Sequence, residues 1–578
     1  MLFFSGCSLL NKSNSETNNS SYIYSDNFLY TIKNGKATLA AIEDFDNLTN
    51  IVIPSQINSI PVKAIGKEAF YENNAIKTII ISNGIENIEE RAFEYCNSLT
   101  QVTLPDSLKT IGEDAFANCV SLTNISIPDG IEYIGEYAFY RCNLTYNTMN
   151  NVKYLGNKNN HYLVVMGVVN NNLSSYTIGS NAKIIYTNAF NGCHSLRNMV
   201  IPYSIKVIGC GAFEDCSLLT EIDIPNSVKI IDSSAFKDCS LLSRIMIPDS
   251  LEYIGVNAVL NCDLLDFNIL NGIKYLGNET NPYVVAMGVI DKTQNSYLIN
   301  NNTKIIYNSA FAYCENVTTI TIPNNVTMIC SSAFNSCNSL VNVIIGNKVE
   351  SINSNAFSYC SSLAEIKIPN SVKNIDWNAF SYCGLTHITL PDNIDNIDPS
   401  AFLRCDSLYY NVKNNINYLG SNTNPYFMVM GPVNASITSC IIDNNAKIIA
   451  DGAFSDCNSL VSVVIPNGVK IIGESAFLDC ISLTSIKIPD SVTTIGIYAI
   501  DGCSSLTSVI IPGGVTYVQI EDCPRLTIYC KAVAMPSVWD ATTWNNSGRP
   551  VYWYSQNRPT KYGLYWHYDT DGVTPVIW

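Results

Sequence analysis

The sequence predicts a solenoid, mainly β with short helical or 3₁₀ turns, and three observations carry that prediction. The first is a signature, Ala-Phe-x-x-Cys, whose alanine recurs at Ala69, Ala92, Ala115, Ala138, Ala189, Ala212, Ala235 and Ala258, then at Ala310, Ala333, Ala356, Ala379, Ala401, Ala453, Ala476 and Ala499. The second is the step, which is 23 residues within each block and once 22. A fixed period of that size marks units too small to bury their own apolar face, so each must stack on its neighbours. The third is a short alternating segment ahead of each signature, such as Val102-Thr103-Leu104, closed by a proline. Alternation with period two reads as a strand with one buried face.

Composition limits what such a body does. Of the 578 residues, 47% are hydrophobic and 14% charged, as in an ordinary folded protein, and the net charge is −16. That balance excludes a nucleic-acid partner, which needs clustered Lys and Arg. No apolar run approaches the ~20 residues of a membrane-spanning helix.

The chain opens Met1-Leu-Phe-Phe-Ser-Gly-Cys7, followed by a stretch rich in Asn and Ser up to Ser25. It resembles the end of a bacterial lipoprotein signal, shortened at its start, with Cys7 as the lipidation candidate. Residues 1–21 then form this signal end and a polar tether, and 22–64 an N-terminal β cap. Within that cap, Asn34-Gly35 between alternating segments predicts a hairpin. The solenoid proper spans 65–522.

Each coil has a readable order. Proline ends the strand because it lacks the N–H that a continuing ladder would use; Pro105, Pro128, Pro225, Pro369 and Pro489 mark that corner. Apolar residues three apart, such as Leu108 and Ile111, then turn inward. Next stands Gly, Asp or Asn (Gly112, Gly135, Asp232, Gly255, Asn353), a choice that predicts a bend with positive φ or a self-capping turn. The small Ala and large Phe fill the interior on a brief helical or 3₁₀ turn. Sixteen of the 21 cysteines close the signature, and Asn73 stands there in the first unit. Coils ~4.8 Å apart hold equivalent Cβ atoms too far apart for disulfides, which predicts a file of buried free thiols donating weakly to turn carbonyls. Asn73 is expected in the same role. Cys-x-x-Cys is absent, so no metal is expected.

The pattern Leu-x-x-Ile-x-Ile-Pro-x-x-Val-x-x-Ile-Gly-x-x-Ala-Phe-x-x-Cys, as in Leu219 to Cys239 and Leu483 to Cys503, resembles the BspA-like leucine-rich repeats of bacterial and protist surface proteins. The resemblance covers about Ile51 to Tyr529. It implies a leucine-rich repeat solenoid, curved and right-handed, with a parallel sheet on one face. It also implies export and contacts with host proteins or other cells, and no catalytic site.

The period stretches three times, at about 146–183, 267–304 and 408–447. Each interruption is itself a copy: Val152-Lys-Tyr-Leu-Gly-Asn157, Ile273-Lys-Tyr-Leu-Gly-Asn278 and Ile416-Asn-Tyr-Leu-Gly-Ser421, each followed by a second apolar run. Two such runs around a polar turn predict three inserted β-hairpins. Residues 523–578 break the period and read as a Trp/Tyr-rich C-terminal cap. Trp539, Trp544, Trp553 and Trp566 in it offer an alternative, aromatic sugar site.

No catalytic residues, cofactor or metal follow from the sequence. The four histidines, His161, His194, His387 and His567, lack a triad arrangement, and His194 beside Cys193 abuts a thiol expected to face the core. The candidate binding face is the outward strand row: Thr103, Ser126, Asp223, Met246, Thr321, Lys367, His387, Thr389 and Lys487. Its mixture of hydroxyls and isolated charges suits a broad protein contact better than a small-molecule pocket. The sequence therefore reads as a non-enzymatic surface protein binding a host or neighbouring-cell protein, touching membrane only through a lipid anchor. A structural spacer and a carbohydrate-binding protein are the alternatives.

Overall fold

A computed structural model describes residues 21–25, 28–33, 35–42, 48–515, 518–531, 549–555, 564–569 and 574–578; Cys7, Trp539 and Trp544 lie outside them. The chain is a β-solenoid of stacked coils, and it divides into two compact units, residues 1–288 with 302–308, and 289–301 with 309–578.

In the first unit the coils place short strands on two walls, and at Ile125, Thr177 and Val200 the first wall is reduced to single bridges. Asn50–Ile53, Thr78–Ile81 and Gln101–Thr103 pair in parallel on one wall. Ile60–Ile65, Asn87–Ile88, Thr110–Ile111 and Tyr133–Ile134 pair in parallel on the other. The second unit repeats this with Ser296–Leu298, Thr319–Thr321, Asn342–Ile344, Glu365–Lys367 and His387–Thr389 on one wall. Met328–Ile329, Ser351–Ile352, Asn374–Ile375 and Asn396–Ile397 line its other wall. The signature turn adds a third hydrogen-bond ladder: the Phe N–H donates to the Ala carbonyl one coil on, as from Phe93 to Ala115 at 2.8 Å and from Phe334 to Ala356 at 2.7 Å.

The core is the file the signature writes. Phe70, Phe93, Phe116 and Phe139 stack with centroids 4.9, 5.0 and 5.8 Å apart and planes within 10°. The thiols lie in register beside them as the sequence predicts. Cys119 Sγ donates to Phe93 O at 3.1 Å and Cys239 Sγ to Phe213 O at 3.1 Å. Burial pushes the Cys480 thiol up to about 12, so it stays protonated and donates to Phe454 O at 3.1 Å.

Four expectations need correction. The signature turn is not helical or 3₁₀; among the described residues there is no helix. The turn instead alternates handedness, with a left-handed residue before the Ala and another before the Cys, such as Asp114 (φ 50°) and Asn118 (φ 61°), or Ser332 and Ser336 (both φ 58°). A non-glycine residue there costs about 1–2 kcal/mol, and the lateral ladder bonds of every coil offset it. The glycines at the bend are not left-handed either. They stand there because the neighbouring coil is too close: a Cβ on Gly112 would lie 2.6 Å from Glu89 C, and on Gly135 2.4 Å from Glu113 N.

Asn73 does not play the cysteine's part. Its Oδ1 accepts from Ala75 N and Ile76 N at 3.1 and 3.2 Å, capping its own turn instead of donating to a carbonyl.

Each insertion holds more than a hairpin. Val152–Leu155 and Val164–Val168 pair antiparallel, but Asn147–Met149 adds a third antiparallel strand, joined through Asn150-Asn151, both left-handed. Asn411–Lys413, Ile416–Leu419 and Met428–Pro432 repeat this meander, with the turn at Asn414-Asn415. The last strand of each meander then runs parallel to the next coil. The N-terminal strands Ser21–Ser25, Phe28–Lys33 and Lys36–Ile42 have the same topology, antiparallel among themselves and parallel to Ile60–Ile65. Every block of coils therefore starts on a copy of the N-terminal meander.

Candidate functional site

On the first wall a three-residue strand buries its middle side chain and turns its flanking ones outward, because side chains alternate across a pleat. Val102, Ile222, Ile366 and Ile486 are buried; Thr103, Asp223, Lys367 and Lys487 beside them are exposed. Ser126, Thr321, His387 and Thr389 are exposed too, and Met246 is half-buried.

Register decides which of these meet. Asp223 lies opposite Met246, and Arg244 reaches both Glu221 and Asp223 at 3.2 Å, so that stretch is internally neutralised. In the second unit the rungs align Leu298, Thr321, Ile344, Lys367 and Thr389 in one row. His387 pairs with Glu365, its Nδ1 3.9 Å from Oε1, and its ring lies 4.8 Å from that of Tyr409. Lys487 sits between Val464 and Ile510. Thr103 follows Ile80, and the Val102–Ile125 bridge brings Ser126 beside it.

Sequence reasoning missed the aliphatic members of these rows. Leu298 is 67% exposed, Ile441 61%, Val52 59%, Val464 55% and Ile344 54%. They sit in all-apolar runs such as Ile51-Val52-Ile53, which read as wholly buried strands. The signal that finds them is positional: each occupies the place Thr103 holds in its own coil.

The aromatic alternative is placed differently. Trp566 is fully buried, its Nε1 donating to Cys530 O at 2.9 Å, with Tyr529, Tyr554 and Tyr568 edge-on at 5.5, 5.3 and 4.9 Å. Trp553 is half-buried. Both belong to the sheet that continues from Ser508–Ile511 through Thr527–Cys530, Val551–Tyr554 and Tyr565–Tyr568. Cys193 is buried, whereas the exposed His194 turns its Nδ1 to Asp215 O at 3.1 Å. Among the described residues no cluster of His, Cys, Asp or Glu could hold a metal, and no helix is long and apolar enough to cross a membrane.

Coils of about 23 residues with buried Leu, Ile, Phe and Cys files and two parallel walls define a leucine-rich repeat scaffold. The chain belongs to the BspA type leucine rich repeat family, whose model, a region of six repeat copies, matches residues 40–162, 169–283, 291–409 and 433–527. The breaks between those segments fall within the meanders. No curated protein matches the sequence.

Three solved structures illustrate the likeness. A leucine rich cell surface protein of Faecalibacterium prausnitzii is 20% identical, with 90% of this chain and 97% of that one covered and a TM-score of 0.25. A leucine-rich repeat protein of Bacteroides ovatus is 22% identical over 87% and 95%, with a TM-score of 0.23. The T. pallidum leucine rich repeat protein is 23% identical over 43% and 91%, with a TM-score of 0.22.

Proposed function

We propose that this is a non-enzymatic repeat protein displayed at the cell surface, whose outward strand face holds a protein of a host or neighbouring cell. The observation that carries the reading is the contrast between the two sides of one strand. Inward residues repeat almost without change, whereas the outward row changes at every rung and keeps Leu298, Ile344, Ile441 and Val464 exposed. Exposed aliphatics among hydroxyls and scattered charges suit a broad contact with another protein. Family membership supports surface display, and a lipid on Cys7 is the anchor this reading assigns.

The test is binding of the intact chain to soluble host matrix proteins such as fibronectin. Saturable binding is expected, weakened about tenfold or more by the double variant I344E/V464E, which changes exposed positions only. Absence of saturable binding to every matrix protein tried favours a spacer role. Palmitate labelling of the expressed chain, lost in C7A, tests the anchor.

A further inference from the structure

The first block carries an unusual concentration of acid on one seam. Glu90, Glu113 and Glu136 occupy the same place in successive coils, just before the left-handed residue that precedes the Ala. Backbone bonds keep the coils in step there: Arg91 N donates to Glu113 O at 2.8 Å and Asp114 N to Glu136 O at 2.9 Å. The repeat thus sets three carboxylates in file at ladder spacing, ~4.8 Å.

The neighbouring bases are already engaged. Lys67 pairs with Glu90 at 2.8 Å, and Arg91 pairs with Glu68 at 2.6 Å and with Glu94. No ion pair among the described residues reaches Glu113, Asp114 or Glu136. Glu136 accepts from Cys210 and Tyr137, which offset part of its burial, and faces the carboxylates Asp232 and Glu214. In the coils that follow, the same position is uncharged at Thr187, Cys210, Ser233, Ser331 and Ser354, and acid returns there only at Asp451 and Glu474.

We propose that this file is an acid-set clasp: protonated, it closes the first coils upon one another, and as it loses protons toward neutral pH the block opens locally more often. Burial, then the facing carboxylates Glu136 and Glu90, pushes Glu113 up to about 7 against the pull of Lys67; burial and Glu94 push Asp114 up to about 6 against that of Arg91. Burial raises Glu136 as well. Acids whose folded pKa exceeds the unfolded value keep their protons longer in the folded chain. Stability is therefore fullest below the unfolded values near 4 and declines as pH rises through about 6 to 7. Glu86, beside Lys63 and Lys109 on the other wall, is shifted downward and titrates outside that window.

Native-state hydrogen exchange of the intact chain tests the clasp. After correction for intrinsic exchange, the amides of Arg91, Asp114 and Phe116 should exchange at least about tenfold more slowly at about pH 5.5 than at about pH 7.5. The amides of Phe334 and Asn355, on the uncharged seam, should show no such difference. In E113Q/D114N, where Asn tolerates the left-handed backbone, exchange should be slow at both pH values. Rates in the wild-type chain that do not differ, or that fall as pH rises, overturn the proposal. So does a variant that keeps the full difference. The wild-type comparison decides by itself should the variant fail to fold.

Discussion

The regular coils and the meanders that interrupt them solve the same packing problem by different means. A coil is long-range: its bonds run to residues 22 to 26 positions away, and its Phe and Cys are buried only because the next coil supplies identical ones. A meander is local: its strands pair antiparallel across a two-residue turn and bury a tyrosine of their own, Tyr154, Tyr275 or Tyr418. Damage to a coil should therefore spread along the stack, and damage to a meander should stay where it is made.

Phe213→Ala is the largest blow to the coil side. Phe213 is fully buried between Phe190 and Phe236, whose centroids lie 5.1 and 5.2 Å away. The cavity should cost about 3–5 kcal/mol, and hydrogen exchange should show lost protection at Phe190 and Phe236 as well as at the mutated coil. Gly135→Ala probes the close approach of coils without touching the core. Its Cβ would stand 2.4 Å from Glu113 N, so backbone must shift, at about 1–3 kcal/mol measured by urea unfolding.

On the meander side, Tyr418→Phe removes one hydroxyl that accepts from Asp443 N at 3.0 Å. A buried N–H left unpaired costs about 1–3 kcal/mol. Loss of protection confined to residues around 418 and 443 sharpens the contrast with Phe213→Ala; loss spread through the following coils breaks it.

What the sequence disclosed follows the same division. The 23-residue beat disclosed the stacking, the inward Ala, Phe and Cys, and the thiol file, because a repeat written sixteen times averages out local exceptions. Handedness within the turn stayed hidden, since Glu68, Tyr95 and Arg141 are poor left-handed residues by propensity and adopt that conformation only under the lateral ladder. The bend glycines misled for a related reason: glycine signals positive φ or close approach, and only the neighbouring coil decides which. On the outward face, Thr103 and Lys367 were legible through alternation, and Leu298 and Ile441 were masked by apolar neighbours on both sides.

The third strand of each meander was missed although its signal was present. Asn150-Asn151, Asn271-Gly272 and Asn414-Asn415 mark the turn between the first two strands of the three inserted meanders. Two left-handed residues in succession define the turn that matches the twist of a hairpin, which Asn-Gly satisfies best and Asn-Asn nearly as well. Asn151 has φ 63°, so Asn151→Gly should be neutral or raise stability by a few tenths of a kcal/mol, whereas Asn151→Val should cost about 1–2 kcal/mol. The paired variants compare one position in two directions, so their difference reports the turn alone, read as opposite shifts of the urea midpoint. Equal midpoints for Gly and Val would mean that the meander is held by its packing on the coil and not by its turn, and the division between local and long-range elements would then fail at this site.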